Sequence, residues 1–478
     1  MGTGTGGSDA GVSATGGADA GGSATGGAGA GGAAGSTDGG AGGTGTGGSP
    51  QCSDLFAPTL QTFGIDMSAD DLAAMQSEFL TAGALSAHDF SMYNTVDYPA
   101  TFHYGTETVT DAYVHLKGDS SWQEAVQYDG ANGKMQVTVE FDHINSSAAF
   151  HGVSKLTFDM PRTDPTFLRE RIANAWLREI GVPGKCATSG QLVLNGSPYG
   201  LFVAEENVGH GFVKKWFPGN SDGDLFKGGW TPETNKTDPN WTRLDTFWAA
   251  QTPADLSAIV DVPSSLLAWA AECLLNDGDG YWGGDHNFYL YDQGAKGYVF
   301  FPTDLDSTLD YLGQFTSDPI FWWTARDGWS LPIPQHYLIM VNDAGLQAQF
   351  IQALATQLPR LDVAEVQSWI DTWSAQIAGA VTADPHKPTD FMPGDFEAAI
   401  ALARGGVRQR ADYVASWLQC KSTQQGPDND GDGVIWCNDC NDGDPSAYPG
   451  APEICGNQID DNCNGVVDEG CPAATTGP

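Results

Sequence analysis

Basic residues are scarce in this chain: 21 Lys and Arg stand against 60 Asp and Glu, a formal charge of -39 over 478 residues. A field of that sign opposes DNA, RNA and anionic membranes as partners and favours divalent cations or basic substrates. Long apolar runs are also missing, so no segment reads as a membrane span. The first 50 residues have almost nothing apolar to bury and hold 22 of the 62 glycines. They lack the strict three-residue period with proline that a collagen helix needs. Such a segment cannot offset the entropy of ordering and is expected to be a flexible linker, usable as a cell-surface tether. Nothing in it has the pattern of a signal peptide. The expectation is that an export signal lies upstream of this sequence, with a lipid anchor one way to hold the tether, and that the protein is extracellular or at the cell surface.

The remaining charge is uneven. Residues 1–50 carry -3 and residues from Lys421 onward carry -10, which leaves -26 on 51–420. Nine cysteines are present, five of them within 437–471. Dense cysteines with little apolar surface point to disulfides and an oxidising compartment. Three parts follow: a linker (1–50), a main domain (51–420) and a Cys- and Asp-rich module (421–478).

Within the main domain, Tyr113–Lys117, Met135–Phe141 and Lys155–Phe158 read as strands. A helix is expected from Asp164 as N-cap and Pro165 at the first position to a stop at Gly181. Gln191–Leu194 and Tyr199–Ala204 flank Asn195-Gly196-Ser197-Pro198, a hairpin signal. Residues 263–275 read as a buried helix. Asn287–Tyr291 and Tyr298–Phe301 read as a second hairpin, and 343–419 as helical, with Trp369, Trp373 and Trp417 in the core. Trp322 and Trp323 are also expected in the core. The class is α+β, strand-rich first and helical second.

Three segments converge on one end of the second hairpin. Asp279 lies in the loop after the buried helix, Asn287 opens the hairpin, and Asp304 and Asp306 close it. Carboxylates and a carboxamide gathered there supply oxygen ligands for a hard cation such as Mg²⁺, which also keeps waters and substrate phosphates. The order Asp, Asn, hairpin, Asp is similar to the catalytic half of protein kinases. More specifically, the sequence resembles the CotH (spore-coat protein H) family of atypical secreted kinases. That resemblance rests on Asp164-Pro165-Thr166-Phe167-Leu168-Arg169-Glu170, Asn195-Gly196 with Tyr199-Gly200-Leu201-Phe202-Val203, Asp224-Leu225-Phe226-Lys227, His286-Asn287-Phe288-Tyr289-Leu290-Tyr291, and Pro302-Thr303-Asp304-Leu305-Asp306. It spans roughly residues 90–415.

The resemblance implies an atypical protein-kinase-like fold and an ATP- and Mg²⁺- (or Mn²⁺-) dependent transfer of phosphate to Ser or Thr hydroxyls of exported proteins. It makes Asp279 the catalytic acid, and Asn287 and Asp304 metal ligands with Asp306 in support. Lys155 and Glu170 become the lysine–glutamate pair at the nucleotide phosphates, with Lys117 and Lys134 as alternative lysines. Val203-Ala204-Glu205-Glu206 becomes the adenine-facing hinge. The sequence departs from the kinase pattern in three places: no G-x-G-x-x-G loop precedes these strands, Asn287 follows Asp279 by eight residues rather than five, and Thr303 stands where the family commonly has Trp. The alternative function is a catalytically silent surface, adhesion or coat scaffold.

In the module, Asp428, Asp430 and Asp432 occupy positions one, three and five of a calcium-loop pattern, Gly433 position six and Asp439 position twelve. Asp442, Asp444, Asp460, Asn462, Asn464 and Asp468 continue the oxygen-rich pattern toward Glu469. Residues 428–471, with Tyr448-Pro449-Gly450-Ala451-Pro452-Glu453-Ile454-Cys455-Gly456, resemble the metal-binding repeats that close many secreted bacterial proteins. Ca²⁺ is the expected ion. A zinc site is disfavoured, because no histidine lies in the module and only Cys437-x-x-Cys440 makes a half-site. Cys420 is a convenient sixth partner for the five module cysteines, while Cys52, Cys186 and Cys273 are left unassigned.

Overall fold

The computed structural model describes residues 50–83, 95–118, 120–160, 162–284, 286–309, 315–322 and 333–471. The expected linker through residue 49 and Trp323 lie outside the described residues.

Seven strands form a closed barrel: β1 (Gln61–Asp66), β2 (Tyr98–Tyr104), β3 (Glu107–Lys117), β4 (Gln136–Glu140), β5 (Lys155–Asp159), β6 (Ala187–Leu194) and β7 (Ser197–Glu206). Their order is β1-β2-β3-β4-β5-β7-β6, and a parallel β1–β6 pairing closes the ring. Alternation sets the two faces. Val114, Leu116, Val137, Val139, Leu156 and Phe158 point into a core with Phe63 and Phe102. His115, Lys117, Glu140, Lys155 and Asp159 sit in between on the opposite, polar face. The β6–β7 turn is the expected one: Asn195 and Gly196 both have positive φ, +48° and +75°, as a two-residue hairpin turn requires.

The helix after β5 starts later than the sequence suggests, running over Arg169–Ile180 with Leu168 at the N-cap. Asp164 instead organises the turn before it. Its carboxylate accepts from the amides of Thr166, Leu168 and Arg169 at 2.9–3.0 Å. Phe167, at φ +56°, breaks the helical path between them. Gly181 closes the helix at φ +78°, as expected.

The second half is helical around a small sheet, β8 (Leu225–Lys227), β9 (Thr231–Pro232), β10 (Phe288–Asp292) and β11 (Tyr298–Pro302), in the order β11-β10-β8-β9. The Val262–Leu275 helix packs against β11, and Ala344–Gln357, Val363–Ala383 and Asp395–Thr423 build the rest of the core. Trp417, Trp373 and Trp322 are buried there, while Trp369 packs on its margin. Buried Arg410 ties the last helix to the Cys273 and Ser317 carbonyls.

Four disulfides are present: Cys52–Cys186, Cys420–Cys437, Cys440–Cys463 and Cys455–Cys471. Cys420 is thus the partner of a module cysteine, and Cys273 is a buried free thiol. With Cys437 and Cys440 committed to different bridges, the zinc half-site is gone. The architecture is α+β and kinase-like: a strand-rich barrel, a helical half and a Cys-rich module. No helix among the described residues is long and apolar enough to cross a membrane.

Candidate active site and metal-binding module

The β10–β11 register pairs Phe288 with Pro302, so Asn287 and Thr303 meet just beyond the ladder. The Thr303 amide donates to the Asn287 carbonyl at 2.8 Å. Both Asn287 (φ +49°) and Asp304 (φ +56°) adopt left-handed backbone, a conformation that turns each side chain out of the strand line. Asn287 Nδ2 donates to Asp279 Oδ2 at 3.0 Å, which joins the helix-end loop to the hairpin. Asp306 accepts from Thr163 Oγ1 at 2.7 Å.

The loop carrying Asp279 rests on two carboxyls that sequence reading passed over. Asp277 Oδ1 accepts the Asp279 amide at 3.2 Å, and Glu272 accepts the amides of Tyr281 and Trp282 at 3.1 and 3.0 Å. Burial, then their mutual proximity, pushes Asp277 well above the carboxylate range; burial also pushes Glu272 up to about 8. Gly280 is required between them: a Cβ there would fall 2.6 Å from Asp277 Oδ2 and 2.7 Å from Glu272 Oε1.

Facing this loop is a chain of buried ion pairs from the barrel. Glu170 and Glu205 each lie 2.7 Å from Lys185 Nζ. Glu170 also accepts from Asn174 Nδ2 at 2.9 Å and from the Leu305 amide. One carboxylate thereby links the Arg169–Ile180 helix, the approach to β6 and the Asp304–Asp306 segment. Lys117 pairs with Asp159 at 2.7 Å. Burial pulls Lys117 down, but Asp159, Glu205 and Asp304 outweigh it and hold the ammonium above its ordinary range. Burial, then Asp159, raises the Asp304 carboxyl, although Asp304 stays open to water on one side.

Two expectations need correction. Lys155 does not pair with Glu170: it lies directly across the β4–β5 ladder from Glu140 and is ion-paired there. Lys185 takes Glu170. Nor is Glu205 on a hinge loop; it sits within β7, buried against Lys185, with burial raising it to about 8. Of the alternative lysines, Lys134 is fully buried on Asp384 and the Leu201 carbonyl, while Lys117 faces Asp304. His286 is an exposed residue bonded to the Gly284 carbonyl.

The module is built differently. Asp428 accepts the amides of Gly431 and Gly433 at 2.7 and 3.0 Å, which curls the first loop around its glycines. Asp430, Asp432 and Asp439 bring one oxygen each within 4.8 Å of one another, and so do Asp428, Asp430 and Asp442. The Oδ2 atoms of Asp430, Asp432 and Asp439 are buried without hydrogen-bond partners among the described residues. Burial, then Asp432 and Asp430, raises Asp439 to about 6. Orphaned carboxylate oxygens that repel one another fit a divalent cation.

In the second loop Asp460 accepts the Gly465 amide at 2.7 Å, and Asn462 and Asn464 both reach Glu469 at 2.5 Å. Glu469, rather than Asp468, closes this group; Asp468 turns to the Gly456 amide at 2.6 Å. Asp444 likewise folds onto Ser446 and leaves the first cluster.

No curated protein matches the chain. Residues 439–469 match the Cu-binding MopE metal-binding motif, and residues 116–414, more than half of the sequence, match the CotH kinase protein model. The chain belongs to the CotH kinase protein family, with a metal-binding motif at its C-terminal end.

Proposed function

We propose that the protein is a secreted phosphotransferase that moves the γ-phosphate of ATP to Ser or Thr hydroxyls of exported proteins. The observation that carries this reading is the Asp279–Asn287 hydrogen bond at 3.0 Å, at the end of a hairpin whose other strand leads to Asp304, a carboxyl close enough to Lys117 to raise its pKa. Asp279 would take the proton of the acceptor hydroxyl as its oxygen forms the new bond to phosphorus and the bridging bond to ADP breaks. Asn287 fixes the orientation of that carboxylate. Lys117 is the cation poised for the nucleotide phosphates, and Lys185, bound to Glu170 and Glu205, holds the surrounding frame. Asn287, Asp304 and Asp306 would hold Mg²⁺ or Mn²⁺, which neutralises charge on the phosphates.

For the module the proposed ion is Ca²⁺. The matching motif is named for copper, but residues 428–471 contain no His or Met, and their cysteines are in disulfides. An all-oxygen donor set suits a hard cation. Disulfides support an extracellular setting, where the glycine-rich segment would serve as a surface tether.

The test is transfer of labelled phosphate from ATP to co-secreted proteins, with the parent chain and Asp279→Ala. Incorporation lost in Asp279→Ala supports the reading. Equal incorporation by both removes the catalytic role of Asp279. No incorporation by the parent, together with no thermal stabilisation by ATP and Mg²⁺, favours the silent scaffold.

A further inference from the structure

On the polar face of the barrel, the face that also carries Lys117, four side chains with metal-ligating chemistry lie together. Asp97 lies just before β2, His115 on β3, Glu140 at the end of β4 and His143 three residues beyond it. His115 Nδ1 is 3.2 Å from Asp97 Oδ1 and 3.7 Å from Glu140 Oε1. His143 Nδ1 is 3.2 Å from Glu140 Oε2 and 3.6 Å from Asp97 Oδ2. Both imidazoles therefore present the same nitrogen to the same two carboxylates.

Asp97, Glu140 and His143 bring one ligand atom each within 4.8 Å of one another. The hydrogen bond between His143 Nδ1 and Glu140 Oε2, at 3.2 Å, is longer than the roughly 2.7–2.9 Å of a charge-assisted pair. His115 stands beside the other oxygen of each carboxylate, Asp97 Oδ1 and Glu140 Oε1. The Tyr113 ring stacks on His143 at 3.8 Å and fixes its plane. Lys155 occupies Glu140 Oε1, which leaves Oε2 for the cluster. Asp97 and His143 keep side-chain exposures of 40% and 32%, so an ion has a way in.

We propose that Asp97, Glu140 and His143 form a Zn²⁺ site with three protein ligands and a fourth position open to water, tying the start of β2 to the end of β4. One imidazole and two carboxylates suit Zn²⁺, whereas the all-oxygen module suits Ca²⁺. The site shares no donor with Asp279, Asn287 or Asp304, and it stands whether or not the chain transfers phosphate.

The experiment is a titration of the full chain with Co²⁺ and then Zn²⁺ in excess Ca²⁺, which occupies the oxygen-rich loops. The parent should develop the strong visible absorption of tetrahedral Co²⁺ at one equivalent and lose it on adding Zn²⁺. His143→Gln and Asp97→Asn, both at accessible positions, should weaken Zn²⁺ binding by roughly 100-fold or more, above the 10–100-fold typical of outer-shell partners. Circular dichroism checks that the variants fold. If either unfolds, the parent spectrum and the other variant still decide. The proposal is overturned by a parent that gives only the weak octahedral cobalt spectrum, or by folded variants that bind Zn²⁺ as the parent does.

Discussion

The Lys185–Glu170 cluster and the C-terminal module are both crowded with carboxylates, yet they balance that charge in opposite ways. In the cluster, Lys185 and Lys117 answer Glu170, Glu205 and Asp159 from within the protein. In the module, Asp430, Asp432 and Asp439 turn orphaned oxygens toward one another, with Lys421 drawn away onto Trp417. A site whose framework is already compensated keeps its shape while substrates come and go. A site left uncompensated is completed by its ion. The first arrangement suits turnover and the second suits a structural metal.

The largest expected effect tests the functional half of this contrast. Asp279→Ala should lower phosphate transfer by roughly 100- to 10,000-fold, the usual contribution of a positioned base. Its thermal midpoint should stay close to that of the parent, because Asp279 lies outside the buried ion pairs. Loss of folding in that variant would mean that the loop depends on Asp279 for structure.

Next comes Glu170→Ala, which leaves buried Lys185 with Glu205 alone and strands the Leu305 amide. Removing one partner of a buried pair costs about 3–5 kcal/mol, and denaturant unfolding should show it. A cost below about 1 kcal/mol would mean that the link between barrel and helical half is not held there.

The module should respond to pH and calcium in linked fashion. Asp439 is raised to about 6 in the folded, ion-free state, so its folded form binds a proton more tightly than the unfolded chain. The ion-free module is therefore favoured at low pH and loses that stability as pH rises through about 6. Added Ca²⁺ should reverse the trend above that pH, and Asp439→Asn should flatten it, as read by hydrogen exchange of residues 428–471 in the full chain. A response to Ca²⁺ that is the same at pH 5 and pH 7.5 would contradict the linkage.

Lys155→Ala should do least. Its pair with Glu140 is one-third exposed on the lysine side, and such pairs contribute roughly 0–1 kcal/mol. A large loss of ATP-dependent stabilisation in this variant would return Lys155 to the phosphate role proposed for Lys117.

Much of this was legible in advance where local pattern decides. The second hairpin followed from two short aromatic and aliphatic runs around Gln293-Gly294, and its register put Asn287 beside Thr303 as the ends of a ribbon must. The charge partners were not legible. Alternation places Lys155 on the polar face but does not say which strand lies beside it, and β4 puts Glu140 directly opposite. Lys185 follows Gly181, Val182, Pro183 and Gly184, a run that signals only a turn; its value comes from where β6 and β7 meet the helix. Asp277 gave no signal of its own, because burial under Asp279 is a tertiary property. In the module, the spacing of Asp430, Asp432 and Asp439 anticipated that their carboxylates gather, but Glu469 takes the place expected of Asp468 because a backbone amide claims the latter.

The parallel seam between β1 and β6 has one more consequence. A ring of strands has no free margin on which a neighbouring molecule could add a strand. It can close only when the first strand finds one made much later in the chain, and pairings between such distant partners form slowly. Cys52 and Cys186 sit just ahead of those two strands and are 134 positions apart, so oxidation would act as a latch on the newly shut ring. Kept reduced, the chain would have to hold that ring shut by strand pairing and packing alone.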